Sequence, residues 1–303
     1  SADLSAEADS SAEAEADAPS PDPCTVLGLP VRDFVDAPDD AALYATAADL
    51  TLETWDGPWT LSEAWSGCEV YLFIQDTPRQ ENDWPIGIWE RDVNALLARS
   101  PRNVHYFFVS TAAAPATRND NLTELSGRAD TALGAMSEED RAWWTQRIHY
   151  LPGRARELPG WLGAQMLSPG WGVAIDRFQR LRFIGSYADW RRFDSGRSWF
   201  APNLSMAANE AVYYNFEAER EARLEAEDAT VVHVLAGEVV SDPGWAGART
   251  VVDVTLPDAT AMAGFDTLEF DLYLGCVGDG EYGDCPAWDY INSLYLCDET
   301  DPD

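Results

Sequence analysis

The chain has 303 residues, 46% of them hydrophobic and 13 of them tryptophan, enough for two domains that each bury a core beneath an acidic surface. Its formal charge of −33 repels phosphate backbones and anionic headgroups, which argues against nucleic acid and membrane surfaces as partners. No stretch approaches the roughly 20 apolar residues of a membrane span, and the basic side chains are all arginine.

The opening "SADLSAEADSSAEAEADAPSPDP" holds acids, Ala, Ser and Pro with no base and one large apolar residue, so residues 1–23 are expected to be a disordered acidic tether. A basic start and an apolar stretch, the marks of a signal peptide, are missing, and the expectation is an exported bacterial protein read after processing, at the cell surface, in the periplasm or outside the cell. Five cysteines allow at most two internal bridges with one left over. Cys24 either pairs with Cys68 or stays free. Cys276, Cys285 and Cys297 cluster without a histidine, which favours a disulfide in an oxidising compartment over a zinc site.

"EVYLFIQ" (69–75) reads as a buried strand and is followed by the polar loop "DTPRQENDWPIG". In "IWERDVNALLARSP" the residues Ile88, Val93, Leu96 and Leu97 fall on one helical face, and Pro101 ends it. "NVHYFFVS" (103–110) reads as a second buried strand. Strand, helix and strand with short links form a βαβ unit and predict parallel pairing. "SEEDRAWWTQRIHYL" begins with a capping signature, Ser137 and Asp140, and predicts a helix with Trp143, Ile148 and Leu151 facing inward. "GVAIDRFQRLRFIGS" (172–186) predicts a β-hairpin turning near Arg177 to Gln179.

In this order of elements, residues 60–187 resemble the thioredoxin-like or redoxin fold. In that family a Cys-x-x-Cys or a single peroxidatic cysteine sits in the loop after the first central strand. Here the loop runs from Asp76 to Gly87 without a cysteine, so the resemblance implies the fold and not the redox chemistry.

Beyond Trp190 the pattern changes. "NEAVYYNFEAEREARLEAED" (209–228) predicts a helix with Glu219 and Arg223 in i,i+4 order. "TVVHVLAGEVV", "TVVDVTLP" and "DTLEFDLYLG" then read as strands. The last alternates, with Leu268, Phe270, Leu272 and Leu274 on one face and Thr267, Glu269, Asp271 and Tyr273 on the other, as in an antiparallel sheet with one wet face. The expected fold is α/β plus β: a tether over 1–23, an α/β domain over 24–190, and a helix plus β-domain over 191–303.

"CVGDGEYGDCPAWDYINSLYLCD" (276–298) is the richest stretch. A bridge from Cys276 to Cys285 would staple a Gly- and Asp-rich loop and fix where Trp288 and Asp289 emerge; the alternative is a structural staple on an acidic surface loop. From Val231 to Asp298 the order of strand pair, "LPDATAMAGFDTLEFDLYL", Cys, polar loop, Cys, "WDY" and "INSLYLC" resembles the start of the N-terminal jelly-roll domain of peptide-N-glycosidase F, an amidase that releases N-linked glycans from asparagine. The resemblance implies a partial antiparallel jelly roll, Asp289 as catalytic carboxylate, Trp288 and Tyr290 beside the substrate, and Cys276–Cys285 as the loop disulfide. It implies no cofactor and no metal. Ala287 and Tyr290 stand where the family carries an acid and an arginine, and the partner glutamates have no counterpart before Asp303. Hydrolysing the glycan–asparagine amide needs water activated at the carbonyl and a proton supplied to the leaving glycosylamine, a division of labour normally spread over more than one carboxyl group. The expectation is therefore the N-terminal portion of an exported amidase acting on N-glycosylated proteins, incomplete for catalysis alone. Two alternatives remain: a non-catalytic glycan- or protein-binding surface module, and a thiol oxidoreductase using Cys24 or Cys68.

Other motifs carry less. "DGEYGD" fails the EF-hand spacing, no nucleophile elbow accompanies a serine, and the sequons at Asn121 and Asn203 are short patterns. His105, His149 and His233 lie far apart in the chain and read as satisfied structural histidines.

Overall fold

A computed structural model describes residues 22–76, 88–90, 92–166, 172–184, 188–194, 199–227, 229–235, 237 and 250–272. The chain divides into two units, Ser1–Glu225 and Ala226–Asp303.

In the first unit α1 (Pro23–Leu27) is capped by Asp22 and precedes the hairpin of β1 (Thr51–Thr54) and β2 (Gly57–Thr60), the short helix α2 (Leu61–Ala64) and strand β3 (Val70–Gln75). Next come α3 (Val93–Arg99), β4 (Val104–Ser110), α4 (Pro115–Gly134), α5 (Glu138–Thr145), β5 (Ile148–Arg154) and α6 (Gly160–Gln165). The hairpin of β6 (Gly172–Ile175) and β7 (Leu181–Ile184), a second hairpin of β8 (Ala188–Asp194) and β9 (Trp199–Pro202), and α7 (Ala208–Ala226) complete it.

Five strands form one mixed sheet in the order β5-β4-β3-β6-β7. β3 pairs parallel with β4, and β4 with β5, while β6 runs antiparallel to both β3 and β7. The central strands are apolar throughout because both faces are covered. Val70, Leu72, Ile74, Tyr106 and Phe108 pack against α3, α4 and α7, whereas Tyr71, Phe73, Phe107 and Val109 pack against residues of β1, α2 and α6. This division follows from the two-residue period of a strand.

The predicted strands 69–75 and 103–110, their parallel pairing and the 172–186 hairpin are all present. The hairpin turns through Asp176, whose Oδ1 accepts the backbone N–H of Phe178 and Arg180 at 2.8 and 3.0 Å, and Gln179 takes a positive φ of 60°. Two helices are shorter than expected. Ile88 lies in a 3-10 turn, and Asp92 at φ 62° separates that turn from α3. Ser137 caps α5 by accepting the Asp140 N–H, but the helix stops at Thr145, so Ile148 and Leu151 reach the core from strand β5. Twenty-residue α4 lacked a strong apolar stripe in sequence, and it is held by Leu122, Leu125, Ala129 and Leu133.

The predicted helix 209–228 is α7, but Ala208, Ala211 and Tyr214 are buried in the first unit's core, beyond the sequence boundary at 190/191. In the second unit the described residues hold one element, the single-turn helix α8 (Ala259–Met262), capped by Asp258. The three β-like runs are not strands over 229–235 and 250–272, where Val231, Val251, Leu268, Phe270 and Leu272 are exposed. Alternation prepares a sheet face, but a strand also needs a neighbour to take its backbone N–H and C=O groups, and among the described residues none pairs with these runs.

Candidate functional site

Cys276, Cys285, Trp288, Asp289, Tyr290 and Cys297, together with most of the loop after β3, lie outside the described residues. Among the described residues, buried carboxylates stand at the two ends of β3, and a third, Asp176 in the β6–β7 turn, is paired with Arg180 and Arg182.

Asp76 follows the last residue of β3. Its Oδ1 accepts the Thr111 backbone N–H at 2.7 Å and the Thr111 hydroxyl at 2.6 Å. Its Oδ2 accepts the Ser110 hydroxyl at 2.5 Å and the Asn121 amide at 2.9 Å. Four neutral donors therefore occupy a carboxylate at the C-terminal edge of two parallel strands, a position where open α/β sheets often bind ligands. Asn121 of the first sequon is spent on this contact, and Asn203 of the second is buried and accepts the Ser205 N–H.

Glu69 precedes β3 and is 3% exposed. Its Oε1 accepts Nε and Nη2 of Arg147 at 3.0 and 2.7 Å. Arg147 lies over the Trp143 ring, 3.8 Å from its centroid, and donates to the Trp143 carbonyl. Glu69 Oε2 is 3.2 Å from His105 Nε2, within ion-pair reach but out of line for a hydrogen bond. His105 Nδ1 meets His149 Nε2 at 2.9 Å, with the two rings nearly parallel. The register of β4 and β5 produces this pair: His149 stands opposite Phe107, two residues from His105 on the same face. The histidines read as separate in sequence are thus one cluster, walled by Tyr71, Phe107 and Trp59.

Burial alone raises the Glu69 pKa, but His105 and then Arg147 outweigh it and hold the carboxyl at about 2. Burial pushes His149 down to about 3, and the neighbouring His105 and Arg147 act in the same direction. The cluster can share a proton between two imidazoles while Glu69 stays ionised. It is an internal brace, with the carboxylate committed to a guanidinium and shielded from solvent.

Cys24 and Cys68 form a disulfide, Cα to Cα 5.7 Å, with both residues fully buried. Gly67 beside it has φ 83°, and a Cβ there would run into the Arg32 backbone. The bridge closes a separation of 44 residues and anchors the chain immediately before Glu69. No family model matches the chain, and no characterised protein matches it in a sequence comparison.

Proposed function

We propose that residues 231–298 belong to a peptide-N-glycosidase F-like amidase module acting on N-linked glycans of exported glycoproteins. The Cys-loop-Cys-"PAWDY" order over 276–290 carries this reading, with Asp289 as the catalytic carboxylate, Trp288 and Tyr290 beside the substrate, and Cys276–Cys285 bridging the loop. The first unit, in this reading, is a thioredoxin-like domain without redox chemistry. The sheet order β4-β3-β6-β7, with β3 and β4 parallel and β6 and β7 antiparallel, supports that assignment. The buried Cys24–Cys68 disulfide and the cysteine-free loop after β3 count against a thiol oxidoreductase.

A second reading, a non-catalytic glycan- or protein-binding surface module, is favoured by how the first unit spends its polar groups: Asp76 on four neutral donors, and Glu69 on Arg147 and His105. Incubation with an N-glycopeptide, followed by mass spectrometry, separates the two. Residues 1–303 alone are expected to bind without converting; joined to a segment that supplies the partner carboxyl groups, an amidase converts the acceptor asparagine to aspartate, and Asp289→Asn abolishes that conversion while leaving glycopeptide binding in place. Glycopeptide binding without conversion in the joined chain, indifferent to Asp289→Asn, favours the binding module. Neither binding nor conversion by the wild-type chain overturns the glycan assignment.

A further inference from the structure

The β1–β2 hairpin turns beside β5 and sets Trp55 against Tyr150, ring centroids 4.8 Å apart and tilted by 33°, with the Trp55 backbone N–H donating to the Tyr150 carbonyl at 3.0 Å. Trp55 is 40% exposed, while Trp59, Trp65, Trp89, Trp143, Trp144 and Trp161 are all buried or half-buried. Leaving this large ring in water at a hairpin tip, on a floor made by a second aromatic, costs burial that the other tryptophans obtain. Two exposed carboxylates from different elements, Asp56 in the hairpin turn and Asp130 on α4, act on the pair electrostatically. Both charges bear on the Tyr150 phenol and, after burial, push its pKa further up.

Several other aromatic rings carry an arginine over the face. Arg32 and Arg180 lie over Phe178, Arg102 and Arg147 over Trp143, and Arg182 over Tyr44 and Tyr214. Among the described residues, no arginine lies over Trp55 or Tyr150. An exposed π face within the field of two carboxylates, on a chain of charge −33, is complementary to a guanidinium or ammonium group. We propose that Trp55 and Tyr150, with Asp56 and Asp130, form a docking site for an arginine or lysine side chain from a basic segment of a partner protein. This inference stands apart from the amidase reading, because its residues belong to the first unit.

The test titrates the full chain with a short oligoarginine peptide at about 0.15 M salt, where long-range attraction between exposed charges is screened, and follows tryptophan fluorescence. The wild type binds, and the neutral oligocitrulline counterpart does not. Trp55→Leu weakens binding about fivefold and removes the fluorescence change. Asp56→Asn with Asp130→Asn weakens it as well while keeping the ring, so the site remains testable if the tryptophan variant folds poorly. Glu225→Gln, an exposed acid elsewhere, leaves binding unchanged. Equal binding by wild type, Trp55→Leu and the double variant would mean diffuse attraction to an acidic surface and would overturn the proposal. So would Trp55-dependent binding of a neutral oligosaccharide with no binding of the peptide.

Discussion

The two ends of β3 hold one carboxylate each and treat it differently. At the leading end Glu69 faces a buried guanidinium from just before β5 and an imidazole from β4. At the trailing end Asp76 is held by two hydroxyls, a side-chain amide and a backbone N–H from the end of β4 and from α4. Both pin the same central strand to its parallel neighbour. A carboxylate opposed by a guanidinium in a dry site is strongly coupled to one partner, and losing that partner strands a charge. A carboxylate held by dipoles spreads its dependence over several bonds, and none of those donors titrates in the ordinary range.

Removing one partner at each end measures the difference. Arg147→Met leaves Glu69 buried without its guanidinium, and the expected loss of unfolding free energy is about 3–5 kcal/mol, read by urea denaturation. Adding Glu69→Gln to that variant restores part of the loss, because the stranded charge is gone. At the other end, Asp76→Ala leaves the hydroxyls of Ser110 and Thr111 and the Asn121 amide without their acceptor, and the expected loss is about 2 kcal/mol. Equal losses at the two ends, or no recovery in the double variant, would erase the distinction.

The same contrast marks what the sequence could reveal. Runs such as "VYLFIQ" and "VHYFFVS" are apolar at every position, so buried parallel strands could be read without knowing what covers them. α4 was missed because its apolar residues are diluted by Thr, Asn, Asp and Gly, and tertiary packing rather than pattern holds it. Over the described residues of the runs after residue 229 the outcome is the opposite: alternation was plain, but pairing depends on neighbours that local sequence does not specify. The Glu69 cluster was hidden because it depends on register. His105 and His149 are 44 residues apart, and only the alignment of β4 with β5 makes them neighbours. A search for polar residues bordering or inside the predicted apolar strands would have found Glu69 and His105, but not Arg147 and His149, which lie in a stretch that reads as a helix. The proposed site around Asp289 was legible only as a resemblance, through "CPAWDY" and its cysteines.

Acid sharpens the comparison with the smallest effect. A histidine whose folded pKa is held at about 3, against 6.5 in the open chain, is neutral in the native state while the unfolded state takes up a proton. Stability from His149 is therefore complete above pH 6.5 and declines as the pH falls toward 3. Glu69, lowered from 4.5 to about 2, contributes stability that is complete above 4.5 and is lost only below it. Between 6.5 and 4.5 His149 acts without Glu69, and over the first pH unit below 6.5 its share of the loss is about 1 kcal/mol. His149→Gln keeps an amide that can meet His105 Nδ1 but does not titrate, so it should flatten stability against pH across that window and leave the steeper fall below 4.5 in place. Urea midpoints measured across the range give the two slopes. A His149→Gln curve parallel to wild type would show that His149 takes up its proton as readily in the folded protein as in the open chain, against the burial and the neighbouring His105 and Arg147 that lower its pKa.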